Sequence, residues 1–199
     1  MSHVLRIGAV DWRHPGWVGG FYPDSLPEDW WLTYYSNEFD CVLVPAAVWR
    51  AAAPEQWCRD TPDEFRFYLR LGAADAAEVA ALLRCGAALG SRFGGTLADA
   101  HAAPELLERL AALGPIYRDA AAGQTPAGCC WRPDSRAQGC ALGILTGAER
   151  PDRRALSAQI QGFCAQVDVA QGAVLFIDGT PPPVGMLQDA GVIAGLLGF

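Results

Sequence analysis

Residues 6–50, RIGAVDWRHPGWVGGFYPDSLPEDWWLTYYSNEFDCVLVPAAVWR, decide how the rest of the chain is read. A short apolar run at 7–10 ends at Asp11 and Trp12 and has the length and character of a strand. A loop rich in Gly, Pro and aromatic residues follows, through Trp17, Gly19 and Phe21-Tyr22-Pro23. Pro27-Glu28-Asp29 then opens a helix, because Pro suits a first turn and acidic side chains suit its positive end. Leu32, Tyr35 and Phe39 recur on one face of that helix. Residues 41–44 are apolar throughout, as a parallel strand buried on both faces is. The stretch is one β-loop-α-β unit, and its longest loop lies where the first strand ends.

The same alternation runs on through the chain. A short helix starts at Pro54, a strand covers 65–71 and an Ala-rich helix covers 74–89. A weaker strand at 94–98 precedes a helix at 104–113, which has Pro at its start and Gly114 just beyond its end. Residues 117–127 carry mixed signals. Strands follow at 128–132 and 140–145, then a helix at 152–167 with Leu156, Ile160, Phe163 and Val167 on one face. A strand at 173–177 and a helix at 184–197 end the chain. Without a repeat, a low-complexity linker or a break in composition, 1–199 parses as one domain. Strands alternating with helices imply a parallel sheet with helices outside it.

The bounds agree. At 199 residues, with 51% hydrophobic and 19% charged residues, the chain can bury one sizeable core. No apolar run reaches the roughly 18 residues of a membrane helix, and a strand so near the N-terminus leaves no room for a signal peptide. Cytoplasmic residence is the expectation. Cys41, Cys58, Cys85, Cys129, Cys130, Cys140 and Cys164 are odd in number and form no C-x-x-C, so they read as small buried hydrophobes. A net charge of −7 speaks against a broad nucleic-acid surface, though not against a local basic pocket.

Gly8, Trp12, the run Trp17-x-Gly19-x-Phe21-Tyr22-Pro23, Leu32 with Tyr35, Phe39 and Arg50 form a long ordered set of rare residues. Thr61-Pro62-x-x-Phe65-x-Phe67 extends it. The set resembles the N-terminal signature of the domain of unknown function 72, or YecE-like, family. The resemblance implies a TIM-barrel-like parallel α/β barrel and brings no established activity. A complete eight-unit barrel takes about 250 residues, whereas seven strands are legible here. Only 133–139 separate the strand-like runs near 128–132 and 140–145, and a parallel crossover needs about a dozen residues or more. We read a deletion of most of one strand–helix unit, leaving an incomplete barrel.

Barrel chemistry sits at the carboxyl ends of the strands. There the resemblance implies several replacements: Leu43 and Cys130 stand for acids, Pro133 for a histidine, Pro45 for an asparagine, and Thr146 occupies the family's Arg-x-His-Gly region. Proton transfer needs such groups within reach of substrate, and a divalent metal needs several converging. The sequence therefore implies neither a cofactor nor a tightly bound metal. Asp11, His14 and Asp178 remain as candidate acid–base residues, with Asp99 and His101 beside them. Arg50, Arg70 and Arg132 each fall at or just past a strand end, where they could face one mouth, with Trp12 close by. Arginine suits phosphate or carboxylate, while pairing with Asp11, Asp99 and Asp178 around the rim would leave a scaffold.

The leading expectation is a non-catalytic or weakly active barrel that binds an anionic small molecule or a protein partner. The alternative is an enzyme acting on a phosphorylated or sugar-like substrate at the mouth. An open barrel also exposes strand edges and apolar helix faces. A homodimer with its interface beside the strands at 128–132 and 140–145 would cover them, unless residues 114–127 or the tail at 192–199 fold across the gap.

Overall fold

In the computed structural model, residues 5–51, 53–73, 75–99, 102–119, 130–133, 139–147, 152–167 and 172–199 are described. β1 (Leu5–Val10) lies inside a parallel sheet, with β2 (Cys41–Val44) on one side and β7 (Ala173–Asp178) on the other. The remaining strands are β3 (Arg66–Arg70), β4 (Phe93–Asp99), β5 (Ile116–Asp119) and β6 (Leu142–Thr146). Their order is β5-β4-β3-β2-β1-β7-β6, every described pair is parallel, and the sheet curls into a nearly closed barrel. Outside it run α1 (Trp31–Glu38), α2 (Ala46–Trp49), α3 (Pro54–Asp60), α4 (Ala76–Leu89), α5 (Pro104–Ala111), α6 (Arg153–Cys164) and α7 (Val184–Leu196). The α/β, TIM-like barrel expected from the sequence is the fold.

The period-two alternation of strand side chains divides the core. Val10, Cys41, Leu43, Tyr68, Leu97, Leu142, Ile144, Val174 and Phe176 fill the interior. Their neighbours Ala9, Val42, Val44, Phe67, Leu69, Leu145, Leu175 and Ile177 face the helices. The helices bury matching stripes: Leu156, Ile160 and Phe163 of α6 are all buried, as their spacing predicts. Adjacent Trp30 and Trp31 split as the helical period demands. Trp31 is buried and stacks on Tyr22 with ring centroids 4.9 Å apart, whereas Trp30 stays 58% exposed.

β1 and β2 are joined in an unusual way. The Tyr35 hydroxyl of α1 accepts from the Ala9 backbone N–H at 2.7 Å and donates to the Cys41 carbonyl at 2.9 Å. It thereby links a donor on one strand to an acceptor on the next. Gly8 faces Cys41 in the register, and a Cβ there would stand 2.1 Å from the Cys41 carbonyl oxygen. That close approach explains the glycine without any appeal to backbone freedom.

Two readings of strand placement need correction. Residues 116–119, unassigned from the sequence, form β5. The predicted strand at 128–132 shrinks, within its described part, to a single bridging residue: Trp131 pairs in parallel with Gly143. Cys130 N–H donates to the Arg118 carbonyl of β5, Trp131 N–H donates to Leu142 O at 2.9 Å, and Ile144 N–H donates to Trp131 O at 2.9 Å. Cys130–Trp131 thus lies between β5 and β6, bonded once to β5 and twice to β6, and partly bridges a seam that stays unsealed. Of residues 114–127, which the sequence offers as a segment to cross the gap, 116–119 belong to the sheet and 120–127 lie outside the described residues. No helix is present between β5 and β6 among the described residues. The Trp131 indole instead packs outward against Phe163 of α6, at 5.4 Å, and is 4% exposed. No helix among the described residues is long and apolar enough to cross a membrane.

Candidate functional site

The interior-facing residue at the carboxyl end of each strand points toward the mouth. On β3 it is Arg70, on β4 Asp99, on β5 Asp119, on β6 Thr146 and on β7 Asp178, while Arg132 follows the Cys130–Trp131 bridge. Asp119 is where the cluster forms. Arg132 Nη2 reaches its two carboxylate oxygens at 3.0 and 3.1 Å. Arg70 Nη2 lies 3.8 Å from Asp119 Oδ2, on the limit of an ion pair. All three side chains are about one-third exposed or less, so water reaches them but only partly screens them.

Arg50 has a different partner. Its guanidinium pairs with Glu78 in the first turn of α4, whose carboxylate is only 4% exposed. Glu78 also accepts from the backbone N–H of Gly72 and of Ala73, the latter at 2.9 Å, and so organises the loop after β3. Asp75 caps α4 by accepting from Glu78 N–H at 2.8 Å. Arg70 and Arg132 are therefore brought together, and Arg50 is assigned to the β3–α4 corner. Sequence reading missed both acceptors. Asp119 was hidden because 115–119 is polar and short. Glu78 carried a signal that could have been used, since Asp75-x-x-Glu78 before an apolar run has the spacing of a capping box.

The acid–base candidates are held by the backbone. Asp11 closes β1 with φ of 63°, a left-handed conformation that Asp tolerates better than most residues. Its Oδ1 accepts from the N–H of Trp12 at 2.7 Å and of Arg13 at 3.0 Å. The His14 ring nitrogen Nε2 donates to the Val10 carbonyl at 3.0 Å, and the ring meets Trp17 edge-on at 4.5 Å. Trp17 Nε1 in turn donates to Pro182 O at 2.8 Å, tying the first loop to the loop after β7. Asp178 is opposite Thr146 in the register, and its carbonyl accepts from Gly147 N–H. His101, like Cys129, falls outside the described residues. Trp12 is buried, packs edge-to-face on Trp57 at 5.1 Å, and lines a groove between α1 and α3.

Burial removes the interior thiols and phenols from acid–base work near neutrality. Cys130, beside the arginine pair, has its pKa pushed far above the ordinary thiol range, first by burial and then by the nearby Asp119 charge. Burial raises Cys41 and Tyr68 in the same way. A thiol held protonated is a poor nucleophile. Among the described residues, no group of three or more His, Cys, Asp or Glu side chains is placed to hold a metal ion.

A curled parallel sheet, an outer ring of helices and charged side chains at the strand ends define an α/β barrel of the TIM type. The chain belongs to the family described as "Protein of unknown function DUF72", whose model matches residues 6–113, more than half of its length. The crystal structure of a DUF72 family protein from Thermotoga maritima MSB8 superposes with a TM-score of 0.62 at 14% identity, covering 96% of both chains. At that identity the likeness concerns the fold alone. No match was found among curated proteins. The family match ends just before β5, and the seam between β5 and β6 lies beyond it.

Proposed function

We propose that this barrel binds an anionic small molecule at its mouth and does not turn it over efficiently. The observation that carries the reading is the sharing of Asp119 by Arg70 and Arg132. Arg70, Arg132 and Asp119 by themselves carry +1, within a rim that also bears the carboxylates of Asp99 and Asp178. The 3.8 Å Arg70 contact leaves much of that guanidinium's hydrogen-bonding capacity for a phosphate, sulfate or carboxylate. The reading against turnover is supported by the company these arginines keep. The nearest thiol is held protonated, His14 is committed to a backbone carbonyl, and Asp11 is committed to two backbone N–H groups.

Phosphate titrated against thermal unfolding tests the site. At 100 times its Kd, a ligand of the native state adds about 2.7 kcal/mol. For a chain of this size that raises Tm by roughly 5–10 °C. Arg132→Ala and Arg70→Ala should each abolish most of the gain, measured against chloride at equal ionic strength. Equal stabilisation of wild type and both variants would mark a general salt effect and end the proposal.

A further inference from the structure

The groove between α1 and α3 lies on the outside of the barrel and is separate from the arginine pair. It encloses about 560 Å³, within the range of small-ligand sites. Three indoles line it: Trp12, Trp30 and Trp57. Two of them are fixed in place. Trp12 meets Trp57 edge-to-face at 5.1 Å, and Trp57 stacks on Phe67 at 5.3 Å with an interplanar angle of 20°. Trp30 forms an outer wall, just before α1. It is the one aromatic among the large hydrophobic residues left exposed in the described chain, 58% exposed against 4% and 9% for the other two.

The polar lining has one dominant sign. Glu28, Asp29 and Asp60 face the groove against a single cation, Arg13, so its lining carries −2. Asp60 accepts a hydrogen bond from Gln56 at 2.6 Å, which orients the carboxylate and leaves its charge. Arg13 also shows what the groove attracts. Its guanidinium carbon sits 5.9 Å from the centroid of the Trp12 ring, within cation–π range, while Nε reaches Asp11 at 3.4 Å. The chain's own cation therefore already uses one of the three rings.

We infer that this groove is a binding site for a small alkylated ammonium cation, held between the Trp30 and Trp57 rings and neutralised by Glu28 and Asp29. The chemistry follows from the lining. The aromatic faces attract cations through their quadrupoles, the carboxylates repel anions, and the concave shape excludes part of the water that would otherwise screen both effects. A neutral sugar would gain from the indoles but nothing from the net charge.

Calorimetric titration with choline tests the inference, with its neutral carbon isostere 3,3-dimethylbutan-1-ol and methyl glucoside as the other arms. Choline should bind saturably, in about the millimolar range suited to a few exposed charged contacts. The isostere and the glucoside should bind about two- to fivefold more weakly, the factor that one exposed cation–π contact supplies. Trp30→Ala, at an exposed position where folding is not at stake, should weaken choline by a similar factor, as should Glu28→Gln combined with Asp29→Asn. Arg13→Ala should tighten it, by removing the resident cation. The inference is overturned by equal affinity for the isostere or the glucoside, by no saturable binding of choline, or by unchanged affinity in Trp30→Ala. The Arg70 and Arg132 variants share no residue with this groove, so the two sites stand or fall separately.

Discussion

Removing one oxygen atom at Tyr35 tests the account of how β1 and β2 are joined. In the native barrel this hydroxyl is fully buried, accepting from Ala9 N–H and donating to the Cys41 carbonyl, and both of those residues are themselves fully buried. Tyr35→Phe keeps the ring and its contacts with Phe39, at 4.9 Å, and Trp17, at 6.2 Å, but orphans one donor and one acceptor. A buried group left without its partner costs about 1–3 kcal/mol, and an orphaned carbonyl is tolerated somewhat better than an orphaned N–H. The expected loss is therefore about 2–4 kcal/mol, or roughly 5–15 °C in Tm for a chain of this length. Urea unfolding followed by tryptophan fluorescence and circular dichroism should show a lower midpoint with an unchanged slope.

Tyr22→Phe provides the internal standard. The Tyr22 side chain is also buried, and its hydroxyl donates a single bond, to Trp12 O at 2.6 Å. Its removal should cost about half as much. If Ala9 N–H and the Cys41 carbonyl find each other once the hydroxyl is gone, as the two strands already bond at Asp11 N–H and Leu43 O, Tyr35→Phe will cost less than about 1 kcal/mol and no more than Tyr22→Phe. That result would refute the idea that the phenol is a required link.

Three further outcomes are expected. Burial raises the pKa of Tyr22, Tyr35 and Tyr68 well above the ordinary phenol value, so the folded state favours their protonated forms. Their contribution is intact below pH about 10 and is lost above it, at up to about 4 kcal/mol per pH unit for the three together. Absorbance at 295 nm should then show these phenols ionising with unfolding, and stepwise ionisation in a folded chain would contradict it. Gly8→Ala places a methyl against the Cys41 carbonyl and should abolish soluble folding or cost more than about 3 kcal/mol by chemical denaturation; a variant as stable as wild type would show that the strands can part. Trp131→Ala should cost about 3–5 kcal/mol and open the seam, giving larger species than wild type by light scattering; an unchanged mass with a small loss would mean that the bridge does not depend on the indole.

Much of the barrel was legible because its signals are local. The apolar runs at 7–10, 41–44 and 173–177 are buried on both faces, so they read as strands without knowledge of their neighbours. The face Leu156, Ile160 and Phe163 follows from helical spacing alone. Gly8 and Tyr35 stood out as rare residues, but not as parts of one contact, because nothing in one dimension says that a helix hydroxyl reaches between two strands. Arg70 and Arg132 were placed at strand ends by the same local logic. Their common acceptor was not, since Asp119 belongs to a strand of four residues, all half-buried, whose sequence Ile-Tyr-Arg-Asp follows Pro115 and resembles a loop.

The sequence by itself determined the alternation of strand and helix, the parallel sheet and the N-terminal unit, because these depend on spacing, polarity and length. Only the tertiary structure decided that Cys130 and Trp131 lie between β5 and β6, with the Trp131 indole packed on Phe163. It also decided that Arg50 answers to Glu78 while Arg70 and Arg132 share Asp119. Strand pairing and charge pairing join residues far apart in the chain. Each residue's share of the energy depends on a partner that its own segment does not specify.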